Sequence, residues 1–509
     1  MMPPSQPGET IRNGSKERLF ARSVLLLGAA GALTVCFLTA FGGQGTVVPP
    51  ARRLLFAGGS LLLATALLAA LRLPQNARTG LAVTLLSLVT AAYFAELYLR
   101  WETTQDLWSV ARRLGLPYDD RQRVEVVRDL RSAGQDAWPV PFPIYLLGHA
   151  DTRGLLPLGG VSGVPTVLCN EVGSYVTYRS DERGFRNPPG MWSVDGLQLA
   201  AVGDSYTQGM CVKDHESAID LIRVAYPRTL NLGMSGDGPL LELATLKEYL
   251  PELRPPRVLW FYFEGNDLVL DLDMERKSRS LTAYLKPGHR QNLGGRQEEV
   301  DGILRDFLAK GYERAAEELR EKKAAARFWP EFLTLRTFRR SLGLLLPAKH
   351  SAPLEVDDGL FRQILEEASR TVSGWRGRLY FVYLPGQARY HDEETRRGID
   401  AVREKVLSIV RDLGISLIDL QPVFRTHKIS SLYVRPPGHL NSEGYRLVAK
   451  TILEVLSKEE KRAGGATSGP SSRNAGGSSS SPSDDSLSCA DRSSPPAPSA
   501  GAAPGSPSG

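Results

Sequence analysis

Four short stretches of this chain carry side chains suited to nucleophilic chemistry, and they follow one another in a fixed order. Gly203-Asp204-Ser205-Tyr206-Thr207-Gln208-Gly209 offers a serine hydroxyl, which attacks a carbonyl well only when a base takes its proton. Pro437-Gly438-His439-Leu440-Asn441-Ser442-Glu443-Gly444 offers that base in His439, the side chain type most often used for general acid–base work. Between them, Asn231-Leu232-Gly233-Met234-Ser235-Gly236 supplies a glycine whose bare backbone lets an oxyanion come close. Glu264-Gly265-Asn266-Asp267 supplies an asparagine amide able to donate to the same charge. The serine stretch is not the Gly-x-Ser-x-Gly elbow, because Thr207 stands two positions after Ser205. Each stretch alone is weak evidence; the ordered set is specific.

The elements around them explain how such residues could meet. Short apolar runs, LQLAAV, RTLNLG, RVLWFYF, RLYFVYL and ISLIDL, begin at residues 197, 228, 257, 378 and 415. Helix-length segments over 215–226, 240–250, 360–375, 393–413 and 442–457 separate or follow them. Runs that are apolar throughout, not alternating, mark strands covered on both faces, and the strand–helix rhythm predicts a parallel sheet. The expected fold is therefore an α/β/α sandwich of flavodoxin-like order, spanning 193–458. Such sheets bind ligands at the carboxyl ends of their strands. Ser205, Gly233 and Asn266 each sit at such an end, and a helix amino end after Ser205 can supply N–H donors.

With these four blocks, the chain resembles the SGNH (GDSL-type) hydrolase superfamily over roughly residues 178–457. The resemblance implies Ser205 as nucleophile and His439 as base. It also implies an oxyanion hole built from the Ser205 N–H, the Gly233 N–H and the Asn266 side chain. It is closest in style to membrane-anchored bacterial members linked to O-acylation of cell-surface polysaccharides. One position departs from the pattern: the family places an aspartate two or three residues before the histidine, where this chain has Pro437 and Pro436. A backbone carbonyl or another carboxylate must then hold the imidazole. Asp419, ending the fifth run, is one candidate; its other reading is an ordinary strand-end capping residue.

The remaining polar clusters read more plainly. Asp267, Asp271, Asp273 and Glu275 are expected to form a solvated acidic loop, not a cation site. His149, His215, His289, His350, His391 and His427 match no metal-ligand spacing, so neither a metal nor a cofactor is expected. Cys169 and Cys211 can pair only if the fold brings their Cα atoms close. Cys36 and Cys489 are expected to stay unpaired. An insertion over about 268–353 contains an amphipathic helix from 298 to 319 and basic stretches, KSRSLTAYLKPGHR and LRTFRRS. It is either a solvated helical cap or a lid whose basic face meets an acidic polymer.

Outside this domain the composition changes. Residues 23–41, 54–71 and 81–99 are nearly free of charge and each about long enough to cross a ~30 Å hydrocarbon layer. Three transmembrane helices over 23–100 follow, after a cytoplasmic segment over 1–22 whose Arg12, Lys16, Arg18 and Arg22 favour the inner side. An odd number of crossings places the approach segment 101–192 and all that follows outside the cytoplasm. Residues 459–509, rich in Ser, Pro and Gly, cannot bury enough apolar surface to fold and are expected to be disordered. A net charge of +6 over 509 residues is modest, and no nucleic-acid module accompanies it. The expected function is a membrane-anchored serine esterase acting on O-acyl bonds of a small molecule or a cell-surface glycan. An O-acyltransferase and an inactive glycan-binding or assembly module share the same residues as alternatives. The sequence does not fix the oligomeric state.

Overall fold

The computed structural model describes residues 7–41, 50–148, 154–321, 332–341, 357–390, 393–434 and 438–466. By contact density the chain divides into one unit ending at Ser457 and a second beginning at Lys458. Of the tail expected to be disordered over 459–509, residues 459–466 belong to the helix Ser442–Ala466, while 467–509, with the expected free Cys489, lie outside the described residues.

Three helices open the chain: α1 (Pro7–Phe41), α2 (Pro50–Ala70) and α3 (Gln75–Arg113). Leu25 and Ala29 of α1 pack against Leu67 and Ala70 of α2, with Leu85 of α3 beside them. Among the described residues, two stretches, Lys16–Phe37 and Gln75–Trp101, are long and apolar enough to cross a membrane, so the expectation of three is reduced to two and the odd-number argument that placed the following chain outside no longer holds. Among the described side chains, α2 contributes the shorter apolar helix Ala57–Ala70, which at ~1.5 Å per residue spans about 21 Å. In sequence, residues 102–114 read as a helix of their own, but it is not separate. Helix α3 runs on through it without a break, because nothing between Trp101 and Arg113 is a proline or a glycine.

The approach segment is more ordered than its Pro- and Gly-rich sequence suggests. Helix α4 (Arg123–Ser132) precedes a three-stranded sheet of β1 (Trp138–Pro139), β2 (Pro165–Cys169) and β3 (Val176–Arg179), in that order. β1 pairs parallel with β2, and β2 antiparallel with β3. Strands this short leave no periodic signal in sequence.

The main sheet holds β4 (Leu199–Val202), β5 (Thr229–Asn231), β6 (Arg257–Phe263), β7 (Arg378–Leu384) and β8 (Ser416–Asp419). All pairs are parallel and the order is β5-β4-β6-β7-β8, the flavodoxin-like arrangement expected. Its helices are α5 (Ser205–Gln208), α6 (Ala218–Arg223) and α7 (Pro239–Tyr249), then, beyond β6, α8 (Gln297–Glu321) and α9 (Arg336–Ser341) in the insertion. α10 (Asp358–Gly374), α11 (Glu393–Asp412) and α12 (Ser442–Ala466) complete them. Successive strand residues point to opposite faces, and the two cores separate accordingly. Ala200, Val202, Trp260 and Phe381 join α7 and α10 through Leu243 and Ile364, while Leu199, Ala201, Phe261 and Val382 join α6 and α12 through Ile222 and Ile452. Burial on both faces is why these runs are apolar throughout.

The described part of the insertion packs on the approach segment and on α3. Arg305 of α8 pairs with Asp136 at 2.7 Å, and Arg131 stacks 4.2 Å from the Trp138 ring and 4.8 Å from Tyr312. The N–H groups of Thr337 and Phe338 donate to Glu96 of α3 at 3.1 and 2.6 Å. This gives Glu96, a carboxylate in an otherwise apolar stretch, the partners that its burial requires.

The acidic loop is not solvated. Asp267, Asp271 and Glu275 are buried and only Asp273 is half-buried, paired with Arg276 and Lys277. Glu275 accepts the N–H groups of Gly238 and Leu240 at 2.7 and 2.8 Å, closing the amino end of α7. Asp267 accepts the Phe263 N–H at 2.8 Å. These carboxylates serve as local caps, which the charge pattern alone did not reveal.

Candidate active site

Strand β4 ends at Val202 and the chain turns at once into the one-turn helix α5, placing Ser205 at its first position. Asp204 caps that turn by accepting the Tyr206 N–H at 2.9 Å. Strand β5 ends beside it, and Gly233 lies against α5 so closely that a Cβ there would stand 2.5 Å from the Gln208 nitrogen and 2.6 Å from the Thr207 Cβ. Only glycine fits. Asn231 ties the two together, donating through Nδ2 to the Thr207 carbonyl at 2.9 Å.

His439 arrives from the loop before α12. Its Nε2 lies 2.9 Å from Ser205 Oγ, the separation for proton transfer from the hydroxyl. The ring rests 5.0 Å from that of Tyr206, which in turn lies 4.2 Å from Phe263. Pro436 and Pro437 lie outside the described residues, but the missing carboxylate is found elsewhere. Glu171, in the loop between β2 and β3, receives His439 Nδ1 on Oε1 at 2.9 Å and the His439 backbone N–H on Oε2 at 3.0 Å. One carboxylate thus holds both the ring and the backbone of His439.

Asp419 is not that carboxylate. Its Oδ2 pairs with Arg403 and its Oδ1 accepts the Gln421 N–H at 3.1 Å, so the strand-end capping reading is the one observed. The reason is spatial: Asp419 ends β8 at the edge of the sheet, whereas Ser205 follows the interior strand β4. Sequence reasoning missed Glu171 because it lies 268 positions before His439 in a segment without periodicity. One signal was available. Cys169 and Cys211 do form a disulfide, with Cα atoms 5.7 Å apart, and this draws the chain around Glu171 to the turn after Ser205.

The groups expected at an oxyanion are placed less simply than the four blocks imply. No acceptor takes the Ser205 N–H among the described residues. The Gly233 N–H, expected at the oxyanion, donates instead to Asn231 Oδ1 at 2.9 Å. A side chain two residues away in the same turn reaches it first. Asn266 donates through Nδ2 to Asp271 Oδ2 at 2.6 Å, leaving its second amide hydrogen available.

Buried carboxyls surround this site. Burial pushes Asp204 up to about 6, against the Tyr206 N–H and the nearby His439, which pull it down. Burial, with the Asp204 charge adding, pushes Asp271 up to about 7, while its bond from Asn266 pulls the other way. Ligand atoms of Glu171, Cys211 and His439 all lie within 4.8 Å of one another, a set of metal-binding types. With Cys211 sulfur committed to the disulfide, no thiolate is offered and the residues present do not fit a metal.

Residues 201–447 match the GDSL-like Lipase/Acylhydrolase family. Among solved structures, the chain is similar to a lipolytic protein of the G-D-S-L family from Desulfitobacterium hafniense DCB-2, at 13% identity and a TM-score of 0.30, covering 51% of this chain and 99% of that one. It is also similar to the lipase/acylhydrolase from Enterococcus faecalis, at 14% identity and a TM-score of 0.29, covering 52% and 97%. A third is the acetyl xylan esterase AlAXEase, at 14% identity and a TM-score of 0.30, covering 50% and 98%. No curated protein matches the chain in sequence. The ordered serine, glycine, asparagine and histidine blocks on a five-stranded parallel sheet, together with the matched segment, make residues 201–447 a domain of the GDSL-like lipase/acylhydrolase family of ester hydrolases.

Proposed function

We propose that this protein is a membrane-associated serine esterase that removes acyl groups from oxygen esters outside the cytoplasm, using Ser205, His439 and Glu171 as a triad. The observation that carries this reading is the unbroken chain Ser205 Oγ to His439 Nε2 at 2.9 Å and His439 Nδ1 to Glu171 Oε1 at 2.9 Å. Glu171 holds the proton on Nδ1, which leaves Nε2 as the acceptor facing the serine. Ser205 Oγ attacks the ester carbonyl as its proton passes to Nε2. The C=O π bond opens to a tetrahedral oxyanion, which the Ser205 N–H and the second Asn266 amide hydrogen stabilise; the Gly233 N–H joins them when it leaves Asn231. The proton on Nε2 then goes to the departing alkoxide. Water repeats the sequence on the acyl-serine, releasing the acid and restoring the hydroxyl.

The disulfide supports this compartment, since such a bond persists in oxidising surroundings and is rare in the cytosol. The apolar stretches Lys16–Phe37 and Gln75–Trp101 support membrane attachment, and α3 runs from the second of these directly to the site. A Cβ at Gly173, whose φ is +77°, would stand 2.4 Å from the Leu107 carbonyl of α3. The anchor therefore ends against the loop that carries Glu171. An esterase held this way suits an acylated cell-surface glycan or another acylated molecule at the membrane face.

The test is fluorophosphonate labelling and ester turnover by the full chain in detergent or nanodiscs. Wild type should label and release acid, and Ser205→Ala should do neither. Labelling of the alanine variant equal to wild type would refute the nucleophile. Glycan binding without labelling or turnover would replace the enzyme by a binding module, and acyl transfer to a sugar hydroxyl in place of water would make it a transferase.

A further inference from the structure

Glu171 lies 30 positions before the matched family segment begins at residue 201, so the catalytic domain does not hold it by its own chain. Two contacts fix its loop. On one side, Gly173 lies against Leu107 of α3, and its carbonyl accepts the N–H of Asp119, in the segment after α3, at 2.7 Å, while Asn170 donates to the Asp119 carbonyl at 2.7 Å. On the other, Cys169 is bonded to Cys211. Cys169 stands two positions before Glu171, and Cys211 stands six after Ser205. The Cys211 sulfur lies within 4.8 Å of ligand atoms of both Glu171 and His439, so the bridge sits beside the carboxylate–imidazole pair.

The Cys211 end of the bridge is itself held firmly. Cys211 has φ 62°, a left-handed conformation that side chains with a β-carbon adopt only when their surroundings impose it. Arg186, buried, supplies much of that imposition: Nη1 donates to the Gly209 carbonyl at 2.7 Å and Nη2 to the Val212 carbonyl at 2.9 Å. Tyr445 of α12, the helix that follows His439, adds a bond to the Met210 carbonyl at 3.3 Å. The turn from Gly209 to Val212 is therefore a fixed post, rooted in the hydrolase domain. A bridge from that post to Cys169 transmits its position to a carboxylate two residues away.

We propose that the Cys169–Cys211 disulfide is a positioning element for catalysis, acting through Glu171: it ties the approach segment to the nucleophile turn and so sets the carboxylate against His439. The proposal rests on the triad reading above. Without the bridge, Glu171 retains its anchor at α3 but loses the tether to the nucleophile turn. The base then spends less time in the productive orientation, which lowers kcat with little change in KM.

A double-mutant cycle tests this in the full chain, because a role exercised through Glu171 vanishes when Glu171 is already disabled. Cys169→Ser with Cys211→Ser should lower kcat roughly 10- to 100-fold in the wild-type background, with KM within about threefold. In the Glu171→Gln background the same pair should change kcat less than about threefold. Equal loss in both backgrounds would mean that the bridge only supports the fold, and no loss in the wild-type background would mean that it positions nothing; either overturns the proposal. If Glu171→Gln is itself fully active, the triad reading fails first, and a distinct result marks that failure. Should the double-serine chain not fold, the folded wild type and Glu171→Gln proteins are reduced under mild denaturant with dithiothreitol. The reductant is oxidised to its cyclic disulfide as Cys169 and Cys211 each gain a hydrogen, with both thiols verified by alkylation and mass. Kinetics after dilution into assay buffer are then compared in the same way, with the same outcomes.

Discussion

Replacing Glu171 by glutamine preserves the shape of the side chain while removing its charge, so it isolates what the carboxylate does for His439. The imidazole becomes a cation as it takes the serine proton, and Glu171 Oε1 lies 2.9 Å from Nδ1. At an effective dielectric near 20, a pair at this separation attracts by about 6 kcal/mol. A glutamine oxygen still accepts the Nδ1 hydrogen, and a neutral bond of this kind retains about 1–1.5 kcal/mol. The difference, about 4–5 kcal/mol, corresponds to a loss on the order of 10³ in kcat. Disabling the carboxylate of a well-studied serine triad costs roughly 10⁴; a smaller loss is expected here because the Glu171 and His439 side chains are 24% and 21% exposed, so water screens the pair. Stopped-time hydrolysis of an aryl ester, with fluorophosphonate labelling rates as an independent measure, gives the number. A Glu171→Gln enzyme within threefold of wild type would refute the assignment, as would an equal loss in Asp419→Asn, which should stay within about twofold because Asp419 is engaged with Arg403.

Other expectations follow from the same geometry. Asn266→Ala should lower kcat by on the order of 10² to 10³ with a smaller effect on KM, since a donor to the developing oxyanion acts chiefly in the transition state; steady-state kinetics decide. Asp271, held up to about 7 by burial against an ordinary 3.8, binds its proton more tightly folded than unfolded, so its contribution to stability is fully present below pH 3.8 and is lost as pH rises through 7. The contribution is about 4 kcal/mol at most. Melting temperature should therefore fall between pH 4 and 7.5 in wild type and fall less steeply in Asp271→Asn. Parallel slopes in a differential scanning series would remove Asp271 from the account. A fragment beginning at residue 193 lacks Glu171, and any activity it keeps should be no higher than that of Glu171→Gln in the full chain. Turnover at the wild-type rate would show that the hydrolase domain orients His439 by itself.

The sheet and three of its four functional blocks were legible in sequence because they are local. Each of β4, β5 and β6 is an apolar run buried on both faces, and the residues that end it, Gly203 to Ser205, Gly233 and Asn266, follow within a few positions. Parallel topology then brings those ends together whatever the connecting helices contain. His439 was legible by its place before the last helix. The partners of these residues were less so: that the Gly233 N–H turns to Asn231, or that Asn266 is held by Asp271, depends on angles within a turn that residue types do not specify. Glu171 lay beyond reach for a different reason. Its bond to His439 joins positions 268 apart and exists only because a small sheet, a disulfide and the end of a long helix converge beside the nucleophile turn. Short-range pattern encodes which elements form and where their ends fall. Which distant carboxylate meets the base is settled by packing, and here packing chose Glu171 from the approach segment over Asp419 at the sheet edge.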